Sequence, residues 1–130
     1  MTIDPEEDGA QMNFDGKMSY GDYLCLDNIL NSQTVRTSAH DEMLFTIQHQ
    51  ASELWLKLAL HELNGAREAI KQDNLQKACK MLSRVTRIFE QLNNAWDVLR
   101  TMTPSEYTEF RDELGPVSYT HLTLPTMCVV

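Results

Sequence analysis

The chain has 130 residues, and its 11 lysines and arginines against 19 aspartates and glutamates give a formal net charge of -8. That length is one small domain or a piece of a larger one, and the acidity disfavours a partner held through nucleic-acid phosphates. No apolar run approaches the roughly 18 to 20 residues that span a bilayer, and no signal-peptide pattern opens the chain, so no membrane partner and a cytoplasmic protein are expected.

Residues 1–17 are acidic, carry Asp4-Pro5-Glu6-Glu7-Asp8-Gly9, and show no apolar period, which predicts a mobile arm. Asp22 to Leu30 can form a short helix, and the polar run Asn31 to Ser38 reads as a loop. A first long helix is predicted from Ser38, as its cap, to about Lys71, with Asp41 and Glu42 in its positive first turn. It carries two apolar stripes. Leu44, Ile47, Ala51, Leu54, Trp55 and Leu58 form one, expected to face the core. Phe45, His49, Leu56, Leu60 and Leu63 form another, rotated by roughly 150°. A helix apolar on two faces is a central one, walled on its second side by protein or ligand. His49 is the titratable group on that second stripe.

Asp73, with Gln76 three residues later, resembles a capping box opening a second long helix. Leu75, Leu82, Phe89 and Trp96 repeat every seven residues there, as do Ala78, Val85, Leu92 and Leu99, so about seven turns require helical packing partners. The short connection makes the two long helices an antiparallel hairpin. Thr103-Pro104-Ser105-Glu106 opens a third helix with Thr at the cap, Pro at the first position and Glu at the third, running to about Glu113. The predicted fold is all-α: a long antiparallel helix hairpin with short flanking helices. Cys25, Cys79 and Cys128 are odd in number, widely spaced and lack a C-x-x-C pair, so buried thiols are expected, with neither a disulfide framework nor a zinc site.

The run His40-Asp41-Glu42-Met43-Leu44-Phe45-Thr46-Ile47-Gln48-His49-Gln50, continuing into Glu53-Leu54-Trp55-Leu56-Lys57, resembles the tryptophan 2,3-dioxygenases, haem enzymes that open the indole ring. Two further blocks agree in order and spacing, Ser19-Tyr20-Gly21-Asp22-Tyr23-Leu24 upstream and Thr103 to Pro116 downstream. The resemblance covers about residues 18–118 and implies part of a haem-dioxygenase helical bundle. It implies haem b, L-tryptophan and O2 as reactants, N-formyl-L-kynurenine as product, the first step of the kynurenine pathway, and a homotetramer.

For the site, the resemblance implies a substrate-binding run of Phe45, Thr46, Ile47, Gln48 and His49, joined by Tyr107 and Arg111. Tyr20, Tyr23 and Leu24 match residues that a neighbouring subunit lends to the pocket. Tryptophan asks for an indole wall, a partner for the indole N–H and a cation for the carboxylate. Phe45 can stack on the indole, neutral His49 carries an acceptor nitrogen, Arg111 offers a planar fork, and Tyr107 one turn earlier adds a wall or a hydroxyl. His49 is the candidate catalytic residue, as a base or as an orienting group. From the residues alone, each has a plainer reading. Phe45 fills a core, His49 is satisfied by a backbone carbonyl, Arg111 is a surface charge, and Tyr20-x-x-Tyr23-Leu24 is an amphipathic turn. Trp55 and Trp96 are expected to pack on the core stripes, with a haem edge open to Trp96. His40 and His61 suit solvent or local capping.

None of His40, His49, His61 and His121 matches the haem-ligating histidine of the family, so no metal ligand is expected in this chain. It is expected to be inactive alone and not to hold haem. From Tyr119 to residue 130 the chain lacks helical period and reads like a translated sequencing adapter fused to a truncated frame. A non-catalytic helical assembly module is the alternative function, supported by the heptad of the second long helix. A di-iron bundle fails because no Glu-x-x-His occurs, and His61-Glu62 lacks the second histidine of a zincin.

Overall fold

Of the three caps the sequence names, Thr103 is found in place, Asp73 gives way to Asn74, and Ser38 does not cap. The structure, a computed structural model, describes residues 17–114, so the predicted arm (all but its last residue) and the tail from Tyr119 lie outside the described residues. The chain divides into two units, Met1–Gln33 and Thr34–Val130. The described residues contain helices and no strand, in agreement with the all-α prediction.

In the first unit the expected single helix is two. Helix α1, Tyr20–Leu24, opens with a reciprocal capping box: Ser19 Oγ accepts from the Asp22 N–H at 3.1 Å, and the Asp22 carboxylate accepts from the Ser19 N–H at 3.2 Å. The Ser19 hydroxyl also donates to the Asp22 carboxylate at 2.8 Å, and this bond together with the one from the Ser19 N–H holds the Asp22 carboxyl below its ordinary range. Cys25 then takes a left-handed conformation, φ 53°, ending α1, and helix α2, Leu26–Leu30, restarts the chain. The break is local: the Cys25 N–H is shared between the Asp22 and Gly21 carbonyls that end α1, and the Cys25 carbonyl accepts from the Asn28 and Ile29 N–H groups that start α2.

In the second unit α3, Asp41–Lys71, and α4, Leu75–Leu99, form the predicted hairpin. Its turn explains a shifted cap. Asp73 sits at φ 57°, its N–H bonds the Ile70 carbonyl, and the Asn74 N–H bonds the Ala69 carbonyl at 2.8 Å. These are the paired bonds of a Schellman ending, which uses Asp73 as the left-handed residue that closes α3. Asp73 therefore cannot also cap α4. Asn74 does so, accepting from the Lys77 N–H at 3.2 Å. The start of α3 differs from prediction too. His40 occupies the cap position without a side-chain bond, and Ser38 does not cap. Instead Glu42 reaches back, accepting from the N–H groups of Arg36 and Thr37 at 2.8 Å each and from the Thr37 hydroxyl at 2.6 Å.

The hairpin core lies between the two stripes of α3, not on either. Ala59, Glu62, Ala66 and Ala69 are buried against Ala78, Val85, Ile88 and Leu92 of α4. Small side chains win this seam because they let the two backbones approach closely. A Cβ placed on Gly65 would stand 3.0 Å from Met81 Sδ. The expected core stripe is consequently corrected: Leu54 is 54% exposed, and Ile47, Trp55 and Leu58 are exposed as well. Leu56, Leu60 and Leu63 of the second stripe are also open. On α4 one heptad row, Ala78, Val85 and Leu92, is buried as the spacing required, while Leu75, Leu82 and Phe89 of the other are exposed. Cys25 and Cys79 are exposed free thiols, not buried ones. Both belong to surfaces that apolar burial does not reach in this chain.

Candidate functional site

Four residues after α4, residues 104–114 form a further helix, α5, whose start follows the sequence closely. Glu106 accepts from the Thr103 N–H at 2.6 Å, and Thr103 Oγ1 accepts from the Glu106 N–H at 3.3 Å. This closes the predicted capping box and holds the Glu106 carboxyl below its ordinary range. The short connection turns α5 back so that its apolar side meets the N-terminal half of α3. Phe110 is 0% exposed there.

Phe110 belongs to an aromatic cluster drawn from three helices. Its ring stands 5.4 Å from Phe45 and 5.5 Å from Tyr107, edge-on in both contacts. Phe45 lies 5.9 Å from Tyr107 and 4.3 Å from His49, and Trp96 of α4 meets His49 edge-on at 6.4 Å. Four of the five pairs lie within the centroid range of productive ring contacts, and the Phe45–His49 pair, at 4.3 Å, is slightly closer than that range. The structure thus brings together Phe45, His49 and Tyr107, which the sequence singled out. It adds Phe110, which the sequence reading did not. The signal for Phe110 was the apolar i, i+3 spacing from Tyr107 within an otherwise polar short helix.

His49 Nδ1 lies 2.7 Å from the Phe45 carbonyl oxygen, and its Nε2 is buried without a partner. A carbonyl oxygen only accepts, so Nδ1 carries the hydrogen and Nε2 of the neutral ring presents a lone pair. The plainer reading of His49, satisfaction by a backbone carbonyl, holds for one nitrogen only. Leaving the other unpaired in an aromatic setting costs about 1 to 3 kcal/mol. A planar N–H donor is the partner that would recover it.

The remaining candidates are spread around the helices. Arg111, one turn after Tyr107, is exposed and forms no ion pair among the described residues. Thr46 is half-buried. Ile47 and Gln48 face away from the aromatic cluster, into a shallow groove with Leu44, Ala51 and Val98. Gln48 is buried at 9% exposure, with its Nε2 unpaired. In the first unit Tyr20 and Tyr23 are exposed and Leu24 is half-buried. His40 and His61 are exposed, as expected for solvent or capping roles. Among the described residues no group of three His, Cys, Asp or Glu side chains could hold a metal ion. A haem iron needs an imidazole nitrogen facing an open slot. The rings of Phe45 and Trp96 stand against His49 and its free nitrogen is enclosed, so as it stands here that nitrogen does not fit the iron side of such a pocket.

A family model described as tryptophan 2,3-dioxygenase matches residues 5–120. The match begins upstream of the resemblance read from residue 18 and takes in much of the acidic N-terminal stretch. A tryptophan 2,3-dioxygenase of Bradyrhizobium sp. (strain BTAi1) is 67% identical over 115 residues, covering 88% of this chain and 41% of the relative. Those of Ruegeria sp. (strain TM1040) and Bacillus thuringiensis (strain Al Hakam) are 65% identical over 114 residues and 58% over 112. They cover 88% and 86% of this chain and 41% and 40% of the relatives. The chain thus spans about two fifths of the length of the curated relatives it matches. By the family match over residues 5–120 and these identities, the chain belongs to the tryptophan 2,3-dioxygenase family.

Proposed function

We propose that the chain is the substrate-side part of a tryptophan 2,3-dioxygenase, an enzyme that uses O2 to open the indole ring of L-tryptophan to N-formyl-L-kynurenine. The observation that carries this reading is the buried, unpaired Nε2 of His49 within an aromatic cluster. Phe45 and Tyr107 form walls for the indole, His49 Nε2 accepts from the indole N–H, and Arg111 binds the α-carboxylate through two parallel bonds. Thr46, Ile47 and Gln48 complete the substrate-binding run, with Ile47 and Gln48 acting from the flank of α3 that faces the groove. Because Nε2 is buried and Trp96 stands edge-on to the imidazole, indole entry requires the half-buried Trp96 ring to swing aside.

Haem b, held by the rest of the enzyme, supplies the oxygen chemistry, and the residues of this chain position the substrate. Tyr20, Tyr23 and Leu24 serve the pocket of a neighbouring subunit in a cytoplasmic homotetramer. The 130-residue chain alone is inactive and takes up no haem. The test measures tryptophan turnover and haem absorbance for an intact enzyme carrying this N-terminal sequence and for the 130-residue chain. Turnover by the intact enzyme alone supports the reading. Its absence from an intact enzyme with full haem content overturns it.

The exposed apolar rows favour a second reading, a helical assembly module. Leu54 at 54% and Leu60 at 63% exposure lie on opposite flanks of α3, and Phe89 is open on α4. Surfaces of this kind associate or bind partners. Salt-resistant self-association of an intact protein that neither takes up haem nor binds tryptophan would establish this reading over the catalytic one.

A further inference from the structure

The helix that carries Tyr107 and Arg111 has one completely buried anchor, Phe110. On a helix of 100° per residue, Tyr107 lies about 60° and Arg111 about 100° to the same side of Phe110. The rotation of α5 about its axis therefore decides where both side chains project. That rotation is held against α3 by the Phe110 ring, edge-on to Phe45 at 5.4 Å, with the Tyr107 ring 5.9 Å from the same Phe45. The capping box at Thr103 and Glu106 is internal to α5 and fixes where the helix starts. Arg111 has no ion pair among the described residues to hold it in place.

We propose that Phe110 is a positioning residue for recognition of the substrate carboxylate: seated against Phe45, it fixes the rotation of α5 and so the place of Arg111. The inference rests on the proposed dioxygenase reading, in which Arg111 meets the carboxylate. Leucine at this position fills much of the same space but cannot make the edge-on contact with Phe45, so α5 gains freedom to roll. A planar guanidinium that must align two bonds with a carboxylate is sensitive to that roll. A ligand without a carboxylate feels the roll only through the Tyr107 wall, an apolar contact that tolerates it better.

The experiment compares L-tryptophan with tryptamine, which keeps the indole and ammonium but has no carboxylate, in an intact enzyme carrying this N-terminal sequence. Phe110→Leu is expected to weaken tryptophan about tenfold, as for one lost charge-assisted bond, and tryptamine by less than about twofold. The loss should fall on KM and leave kcat near its original value, because the carboxylate contact is uniform binding. In an Arg111→Ala background, Phe110→Leu should add no further loss for tryptophan. Equal weakening of both ligands, a fall in kcat alone, or a full additional loss without Arg111 would each overturn the proposal. Should Phe110→Leu fail to fold, Phe110→Met makes the same comparison. If both variants lose their helix content, Phe110 is a core residue only and the proposal fails. An unsubstituted enzyme with full haem content that does not bind tryptophan sinks the dioxygenase reading, and this inference with it.

Discussion

The Nδ1–H of His49 donates to the carbonyl oxygen of Phe45, one turn back on the same helix, at 2.7 Å. The bond does two things at once. It satisfies a main-chain carbonyl within α3, and it fixes the neutral imidazole in the tautomer whose Nε2 accepts. The Phe45 ring stacks on the same imidazole at 4.3 Å, so a single residue orients His49 through both its backbone and its side chain.

A first prediction follows for His49. In an intact enzyme carrying this sequence, His49→Ala is expected to keep full haem content while weakening L-tryptophan about threefold to tenfold, the worth of one net hydrogen bond. A tryptophan methylated on the indole nitrogen offers no N–H, so it should bind the original enzyme poorly and gain from the substitution. Haem absorbance and binding of the two ligands would be measured side by side. Loss of haem in His49→Ala would make His49 an iron ligand and contradict the assignment.

Arg111 gives a second. Arg111→Lys keeps the charge but replaces a planar fork with a point charge, so the two parallel bonds to a carboxylate cannot both form. Tryptophan affinity should fall by about tenfold to a hundredfold, for a loss on the order of 1.5 to 3 kcal/mol. Thermal stability should stay near the original, because the side chain is exposed and without an ion pair among the described residues. Lower stability with unchanged tryptophan binding would return Arg111 to its plainer reading as a helix-surface charge.

Periodicity made the helices legible, and the Thr103–Glu106 capping box made the start of α5 legible to the residue. The packing faces of α3 were less so. Large apolar residues dominate any count of hydrophobic periodicity, yet the seam with α4 is built from Ala59, Ala66 and Ala69 with a glutamate among them. Small residues contribute little to such a count and contribute most to close approach. The leucine stripes therefore pointed to surfaces that this chain leaves open. The shifted cap at Asn74 has a comparable cause, since Asp73 was read for its side chain while the turn uses its backbone. Phe45, His49 and Tyr107 were legible as a site through the family resemblance. Phe110 and Glu42 were not: spacing marked Phe110 as apolar but not as the ring that meets Phe45, and Glu42 serves backbone N–H groups five and six residues back through a loop that no period describes.

Glu42 carries a pH prediction. Burial pushes its carboxyl up, but the bonds from the Arg36 N–H and from the Thr37 hydroxyl and N–H together outweigh it. The folded value therefore lies below the ordinary 4.5. A depressed carboxyl stabilises the fold above its unfolded value, and that stability is lost as the pH falls through the folded one. The join between residues 36–39 and α3 should thus weaken progressively below pH 4.5. Glu42→Gln can keep only one oxygen acceptor and no charge, so it should cost on the order of 1.5 to 3 kcal/mol at neutral pH. It should also flatten the acid slope of unfolding midpoints between neutral pH and pH 3, a range of about four units around the ordinary glutamate value. An acid slope in the variant equal to the original would mean that other carboxylates carry it.

Glu62 supplies the last prediction, one of sign. Its Oε1 takes a 2.8 Å bond from Arg84 Nη1, while Oε2 is buried without a partner in the alanine seam. The charge is half-served: Arg84 is 48% exposed, and the carboxylate it meets is 8% exposed. Removing the cation leaves a buried carboxylate with no partner, whereas removing the carboxylate leaves an exposed guanidinium that water can serve. Arg84→Ala should therefore destabilise the hairpin, by about 3 kcal/mol or somewhat less given its exposure. Glu62→Met, similar in length and adaptable in shape, should be neutral or stabilising by about 1 kcal/mol, because it also removes the unpaired oxygen. Urea unfolding of the two variants, with the slope compared as well as the midpoint, reads the difference directly. Were Glu62→Met the more damaging of the two, Oε2 would have a partner in solution, and the seam would need the carboxylate itself.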